Sequence, residues 1–218
     1  MTTLTTAPLA PLLDRLFAEA DIAASPAIAS FSHEERERLL NSKTDYLDLY
    51  GRLKDLWLPV SPETGALLYM LARSSGAKSI VEFGTSFGIS TLHLAAALRD
   101  NGGGRLIGSE FEPGKIARAR QNLIDGGVAD LVEIREGDAL KTLSTDLPDT
   151  IDLLLLDGAK ALYRDVLELM EGRLKPGALV IADNADDSPD YLAYVRSARG
   201  GYVSVPFGED VEVSMRAG

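Results

Sequence analysis

The residues best suited to do chemistry stand at the ends of two apolar runs. IDLLLLDGAK (151–160) places Asp157 after a strand-like stretch with Lys160 three positions further on, and LVIADNADD (179–187) places Asp183 and Asn184 after another. Two carboxylates and an amide oxygen converging from neighbouring strand ends are hard oxygen donors, suited to Mg²⁺ or Ca²⁺ and, less selectively, Mn²⁺. A soft zinc site is disfavoured, because the chain has no Cys and only His33 and His93. Lys160 beside such an ion could take up a proton, since neighbouring positive charge favours the neutral amine; it could equally be no more than the salt-bridge partner of Asp157. Asp186 and Asp187 read as a solvated loop, with one of them available as a spare ligand.

A second group of residues surrounds KSIVEFGTSFGIS (78–90), where a short apolar strand ends at Glu82 and Phe83 and turns through Gly84 and Gly88 into a helix. Glycines there let the backbone approach a ligand, and the free N–H groups opening the helix can receive an anion. The spacing GTSFG is neither the GxGxxG of a dinucleotide site nor the GxxxxGK[ST] of a P-loop, so a nicotinamide cofactor and a nucleoside triphosphate are both disfavoured. Glu110 closes RLIGSE, 26 residues after Gly84. A carboxylate at that place can accept both hydrogen bonds of a ribose diol, or it is a solvated acid before Pro113. Asp138, in EGDAL, can cap the helix that follows, accept from an adenine amino group, or do both. Glu82 can fix its turn or receive an ammonium group. Acidic residues thus mark five successive strand ends, at Glu82, Glu110, Asp138, Asp157 and Asp183.

The elements that must position these side chains alternate regularly. Strands are expected over 78–83, 105–110, 131–135, 151–157 and 178–183, with helices over 88–99, 113–125, 138–145, 161–172 and 189–198. Strands separated by helices of this length pair in parallel through right-handed crossovers, and ligands of such sheets lie beyond the carboxyl ends of the strands. The tail differs: 202–206 and 211–215, separated by FGED, read as an antiparallel hairpin at the sheet edge. Ser61-Pro62-Glu63 opens a helix expected to reach Ser75, with a capping hydroxyl and proline in the first turn. Before it, helices are expected over Leu9–Ala20, Ala24–Phe31, His33–Leu40 and Asp45–Leu58, with Trp57 in an apolar stripe. This front quarter is either a helical cap over the main domain or a packing surface, for example of a homodimer. No internal repeat or linker is evident, so 1–60 is read as a helical extension of the domain formed by 61–218.

Composition narrows the function classes. The 33 Asp and Glu against 22 Lys and Arg leave a formal charge of -11, which disfavours a non-specific grip on nucleic acid and adhesion to membranes through basic patches. The first twenty residues carry Asp14, Arg15 and Glu19 and lack a secretory pattern, and no run approaches the ~18 apolar residues of a membrane span. A soluble, cytoplasmic protein is the default expectation.

Taken in order, VEFGTSFGIS, GSE, GDA, LLLLDGAK and VIADN resemble the motifs of the S-adenosylmethionine-dependent, divalent-metal-dependent O-methyltransferases, the group of catechol and caffeoyl-CoA O-methyltransferases. The resemblance covers about residues 40–218, and the segment SPETG (61–65) shares in it. It implies an α/β Rossmann-like fold with a seven-stranded, mostly parallel sheet in the order 3-2-1-4-5-7-6, the last strand antiparallel and helices on both faces. It further implies S-adenosylmethionine as cofactor, its methionine part near Glu82, Gly84 and Ser90, its ribose on Glu110 and its adenine near Asp138 and Ala139. Asp157, counted among the cofactor-binding residues too, aligns with Asp183 and Asn184 as metal ligands, Mg²⁺ before Mn²⁺ or Ca²⁺, and Lys160 aligns with the catalytic lysine. The implied acceptor is a small aromatic with neighbouring hydroxyls. Two departures limit that inference: DDSPDYLAYV after Asn184 is shorter than the acceptor loop of the plant enzymes, and nothing before about Leu40 matches. Three alternatives remain at this level: a methyltransferase for a hydroxylated nucleoside in transfer RNA, a metal-independent small-molecule methyltransferase, and a non-catalytic S-adenosylmethionine-binding protein.

Overall fold

A run of leucines sets the centre of the molecule. Leu153 to Leu156 are all fully buried, as a strand must be when both faces of its sheet are covered. In the computed structural model, which describes residues 1–23 and 32–218, this run is β4 (Ile151–Leu156). It pairs in parallel with β1 (Ser79–Phe83) and β5 (Leu174–Ala182). β2 (Arg105–Glu110) and β3 (Val132–Glu136) extend the sheet beyond β1, and β7 (Val211–Arg216) and β6 (Tyr202–Phe207) complete it beyond β5. The order is β3-β2-β1-β4-β5-β7-β6, with β7 antiparallel to both its neighbours, as expected.

Period-2 alternation sends side chains to opposite faces. Val81, Phe83, Leu154, Leu156 and Val180 share a core cluster with Tyr163, Val166, Leu167 and Met170 of α8 (Tyr163–Glu171) and with Tyr191 of α9 (Pro189–Val195). Ile80, Leu106, Leu153, Leu155 and Ile181 face α4 (Pro62–Ser74) and α5 (Ile89–Asp100). At the crossing of those two helices Gly65 is required, because a Cβ there would stand 2.6 Å from the His93 ring. α1 (Leu9–Ile22) lays Leu9, Leu12, Leu13 and Leu16 against α5 and α6 (Pro113–Asp125). The other described helices are α2 (His33–Leu40), α3 (Tyr46–Arg52) and α7 (Ala139–Thr142). Among the described residues, no helix is long and apolar enough to cross a membrane.

Three expected boundaries are corrected. The helix expected over 45–58 ends at Arg52; Pro59 disfavours helical geometry at Leu58, and Trp57 stacks on Phe87 at 4.2 Å between ring centres. The helix expected over 138–145 is a single turn, because the Arg135 guanidinium draws the carbonyls of Thr142, Thr145 and Asp146 to itself. β5 begins four residues earlier than 178, its Pro176-Gly177 segment absorbed by a register shift between the Ile151 and Leu153 pairings. The helix expected over 24–31 lies outside the described residues.

Candidate active site

The turn after β1 is built around a buried acid. Glu82 is fully buried and accepts from Ser90 Oγ at 2.7 Å, Thr91 Oγ1 at 2.6 Å and Thr85 Oγ1 at 3.0 Å. Burial pushes its carboxyl up, and the three hydroxyls work against that rise. Glu82 and Ser90 therefore hold each other behind the wall, and of the two expected roles for Glu82 the structure shows the fixing of the turn. Gly84 does reach the open side. It has φ +100°, and a Cβ on it would lie 2.4 Å from the Asp157 carbonyl oxygen, so only glycine lets the ends of β1 and β4 meet.

Glu110 sits at the end of β2 as a pre-set acceptor. Its Oε2 accepts from Ser86 N at 2.8 Å, and its Oε1 from Phe111 N at 2.9 Å and Glu112 N at 3.0 Å. Three backbone donors thus fix the carboxylate and leave one of its four lone-pair sites, at Oε2, for a ligand of the cavity it lines. Asp138 caps α7 through Leu140 N at 3.0 Å, and the same Oδ1 accepts from Tyr46 Oη of α3 at 2.9 Å. Ala139 follows, buried at the wall.

Beyond β4, Lys160 Nζ donates to Asp157 Oδ1 at 3.2 Å and to Tyr163 Oη at 2.8 Å, and Tyr163 Oη donates to the Asp183 carbonyl at 2.7 Å. The single tyrosine proton is spent on that carbonyl, so the phenol oxygen must accept from the lysine. Two of the Lys160 Nζ hydrogens are thereby placed. The Asp157 and Asp183 side chains stand at the ends of the paired strands β4 and β5 and line the same cavity. Burial pushes Asp157 up to about 6 against the pull of Lys160, and pushes Asp183 up to about 7 with the Asp157 charge adding to the rise. Asn184 has left-handed backbone (φ 48°, ψ 45°) and donates from Nδ2 to Asp210 Oδ2 at 2.7 Å. Asp186 and Asp187 are exposed, in keeping with a solvated loop.

One cavity of about 520 Å³ joins these groups. Its wall includes Gly84, Glu110, Asp138 and Ala139 toward β1–β3, and Asp157, Lys160, Asp183 and Asn184 toward β4–β5. Ser61, Pro62 and Thr64 at the start of α4 border it as well, the first of them capping the helix through Thr64 N at 3.0 Å. Among the described residues no three His, Cys, Asp or Glu side chains converge on a metal position; the set expected from the sequence is two carboxylates and an amide oxygen. That set suits a hard cation: two buried acids at neighbouring strand ends oppose each other's ionisation, and a divalent ion is the charge that would let both ionise.

The sequence pattern of the methyltransferase-domain family matches residues 81–185, from β1 to the loop after β5. A catechol O-methyltransferase of Niastella koreensis is 36% identical over 130 residues, 58% of this chain and 58% of that one. A protein of Mycobacteroides abscessus provisionally named O-methyltransferase is 34% identical over 152 residues, 65% of this chain and 70% of that one. The chain belongs to the S-adenosylmethionine-dependent O-methyltransferases. Its fold is also that of an O-methyltransferase from Bacillus cereus solved in complex with SAH, with a TM-score of 0.68 and 23% identity over 83% of this chain and 94% of that one.

Within this methyltransferase family member, four wall or near-wall side chains escaped the sequence reading. Lys115, buried in the first turn of α6, sits 5.3 Å from the centre of the Phe87 ring, and burial lowers its pKa against the pull of Glu110 and Glu112. Tyr46 and Tyr50 arrive from α3, and Asp210 from the β6–β7 turn. Tyr163, behind the wall and fully buried, escaped as well, although its place three residues after Lys160 was a spacing signal that could have exposed it.

Proposed function

We propose that the protein transfers the methyl group of S-adenosylmethionine to a hydroxyl of a small catechol-like aromatic, with Asp157, Asp183 and Asn184 holding a divalent cation, Mg²⁺ in the first instance. The observation that carries this reading is the continuity of the cavity: acids suited to a ribose and an adenine line the same open cleft as the Asp157–Lys160–Asp183 group. S-adenosylmethionine supplies, when bound, a methyl group on a sulfonium that needs only an aligned oxygen. A divalent cation supplies, when bound, chelation of two neighbouring oxygens and a more acidic phenol.

The chain's own residues do the rest. Glu110 accepts from the ribose diol, its carboxylate already immobilised by three backbone donors, and Asp138 takes the adenine amino group. Glu82 and Ser90 shape the Gly84 turn that lets the methionine part approach. Lys160, in its neutral form, accepts the phenolic proton at Nζ while the acceptor oxygen bonds to the methyl carbon and the carbon–sulfur bond breaks. The half-buried Tyr50 and the apolar Leu58 and Pro59 line the cavity on the α3–α4 side and offer the aromatic an apolar face.

An acceptor panel tests this. With S-adenosylmethionine and Mg²⁺, catechols, caffeoyl esters and flavonoids with adjacent hydroxyls should be methylated well ahead of monophenols. Equal rates on monophenols would remove chelation as the basis of selection.

A further inference from the structure

Asp210 lines the cavity next to Asn184, yet none of the roles above uses it. It lies in the turn between β6 and β7, far in sequence from the strand ends that carry the site. Two bonds fasten it to the loop after β5: Asn184 Nδ2 donates to its Oδ2 at 2.7 Å, and Ala185 N donates to its carbonyl at 2.7 Å. Its side chain is a pure acceptor when ionised, so only the NH₂ end of the Asn184 amide can face it. The amide oxygen is then turned the other way.

That matters because an asparagine amide is two-faced. An unanchored one presents oxygen in one orientation and NH₂ in the other, and the second is repelled by a cation. The left-handed backbone at Asn184 restricts how the side chain leaves the loop, but not which end of its amide faces the site. A hydrogen-bonded carboxylate further polarises the amide and makes its oxygen a better donor to a cation.

We propose that Asp210 is the positioning residue that orients the Asn184 amide, presenting its oxygen to the side shared with Asp157 and Asp183, and so sets the site's affinity for a divalent cation. This rests on the metal reading given above. A competing arrangement, in which the Asp210 carboxylate binds the ion itself, would depend on its charge instead of its hydrogen bond.

Mn²⁺ binding to the metal-free protein, followed by electron paramagnetic resonance without acceptor, separates these cases. Asp210→Ala should weaken Mn²⁺ binding about 10–100-fold, the usual cost of losing a residue that orients a ligand. Asp210→Asn keeps an oxygen for Asn184 Nδ2 and should stay within a few-fold of wild type. S-adenosylmethionine affinity, read by calorimetry, should be unchanged in both. In an Asn184→Ala background, Asp210→Ala should cost nothing further, because the amide it orients is gone. Wild-type binding with an unaffected Asp210→Ala, or an Asp210→Asn as damaged as Asp210→Ala, would overturn the proposal and leave the metal reading standing. No Mn²⁺ binding by the wild type would overturn both. Asp210 is an exposed turn residue, so both variants are expected to fold, and a melting curve equal to wild type confirms that a lost affinity is local.

Discussion

Asp157 and Asp183 stand at neighbouring strand ends inside the protein, and their charges oppose each other. Asp183 has its pKa raised from 3.8 to about 7 by burial and by the Asp157 charge. A carboxyl whose folded value lies above its unfolded one contributes stability that is fully present below the unfolded value and is lost as pH rises through the folded one. In the metal-free protein, Asp183→Asn should therefore melt progressively higher than wild type as pH goes from about 4 to about 8. Melting curves in excess chelator measure this, and a difference independent of pH would show that the pair is not strained. Lys160→Met should keep cofactor binding and lower turnover by about 10² to 10⁴, with partial recovery at higher pH on an acidic catechol that arrives deprotonated. Undiminished turnover would demote the lysine to the structural partner of Asp157. Glu110→Ala should weaken S-adenosylmethionine strongly in calorimetry, because three backbone donors hold the carboxylate ready. Asp157, Lys160 and Asp183 were readable because each follows an apolar run that can only be a central strand. Lys115, Tyr50 and Asp210 were not, since each reaches the cavity from a segment whose place against the strand ends depends on tertiary packing.

Elements were legible where punctuation was local. Pro113 and Gly126 bracket α6 in the sequence, and the helix occupies the interval expected. Boundaries failed where a distant side chain decided them, as with Arg135 gathering the carbonyls after α7. One buried acid anchors the opposite end of the central strands: Asp152 on β4 accepts from Lys78 N at 2.6 Å and Ser79 N at 2.9 Å and pairs with Lys175 at 2.5 Å. Asp152→Ala leaves two backbone donors at the start of β1 without that partner, and should cost about 1–3 kcal/mol in denaturant unfolding. Turnover at a temperature where the variant is folded should be nearly unchanged, because the site is at the other end of the strands. A variant as stable as wild type would mean that water replaces the carboxylate at no cost.

For the whole molecule, the formal charge of -11 belongs to the surface and to the acids at the strand ends alike, and a cationic sulfonium and a divalent cation are both ligands that such a wall favours. Seven strands in the order found bring Gly84, Glu110, Asp138, Asp157, Asp183 and Asn184 to one cavity, with Glu82 and Ser90 behind its wall. The strand order could be named from resemblance and the alternation of elements from periodicity, but the lining of the cavity by α1, α3 and the segment before α4 could not, since nothing in their sequence states what they cover. The most direct measurement is mass-spectrometric detection of methylated product from a catechol and trideuteromethyl S-adenosylmethionine, run with Mg²⁺ and again in excess EDTA. The account predicts a labelled mono-ether with Mg²⁺, none in EDTA, and none from Asp183→Ala under either condition. Full labelling in EDTA together with a near-normal Asp183→Ala rate, or no labelled product on any adjacent-hydroxyl acceptor, would contradict it.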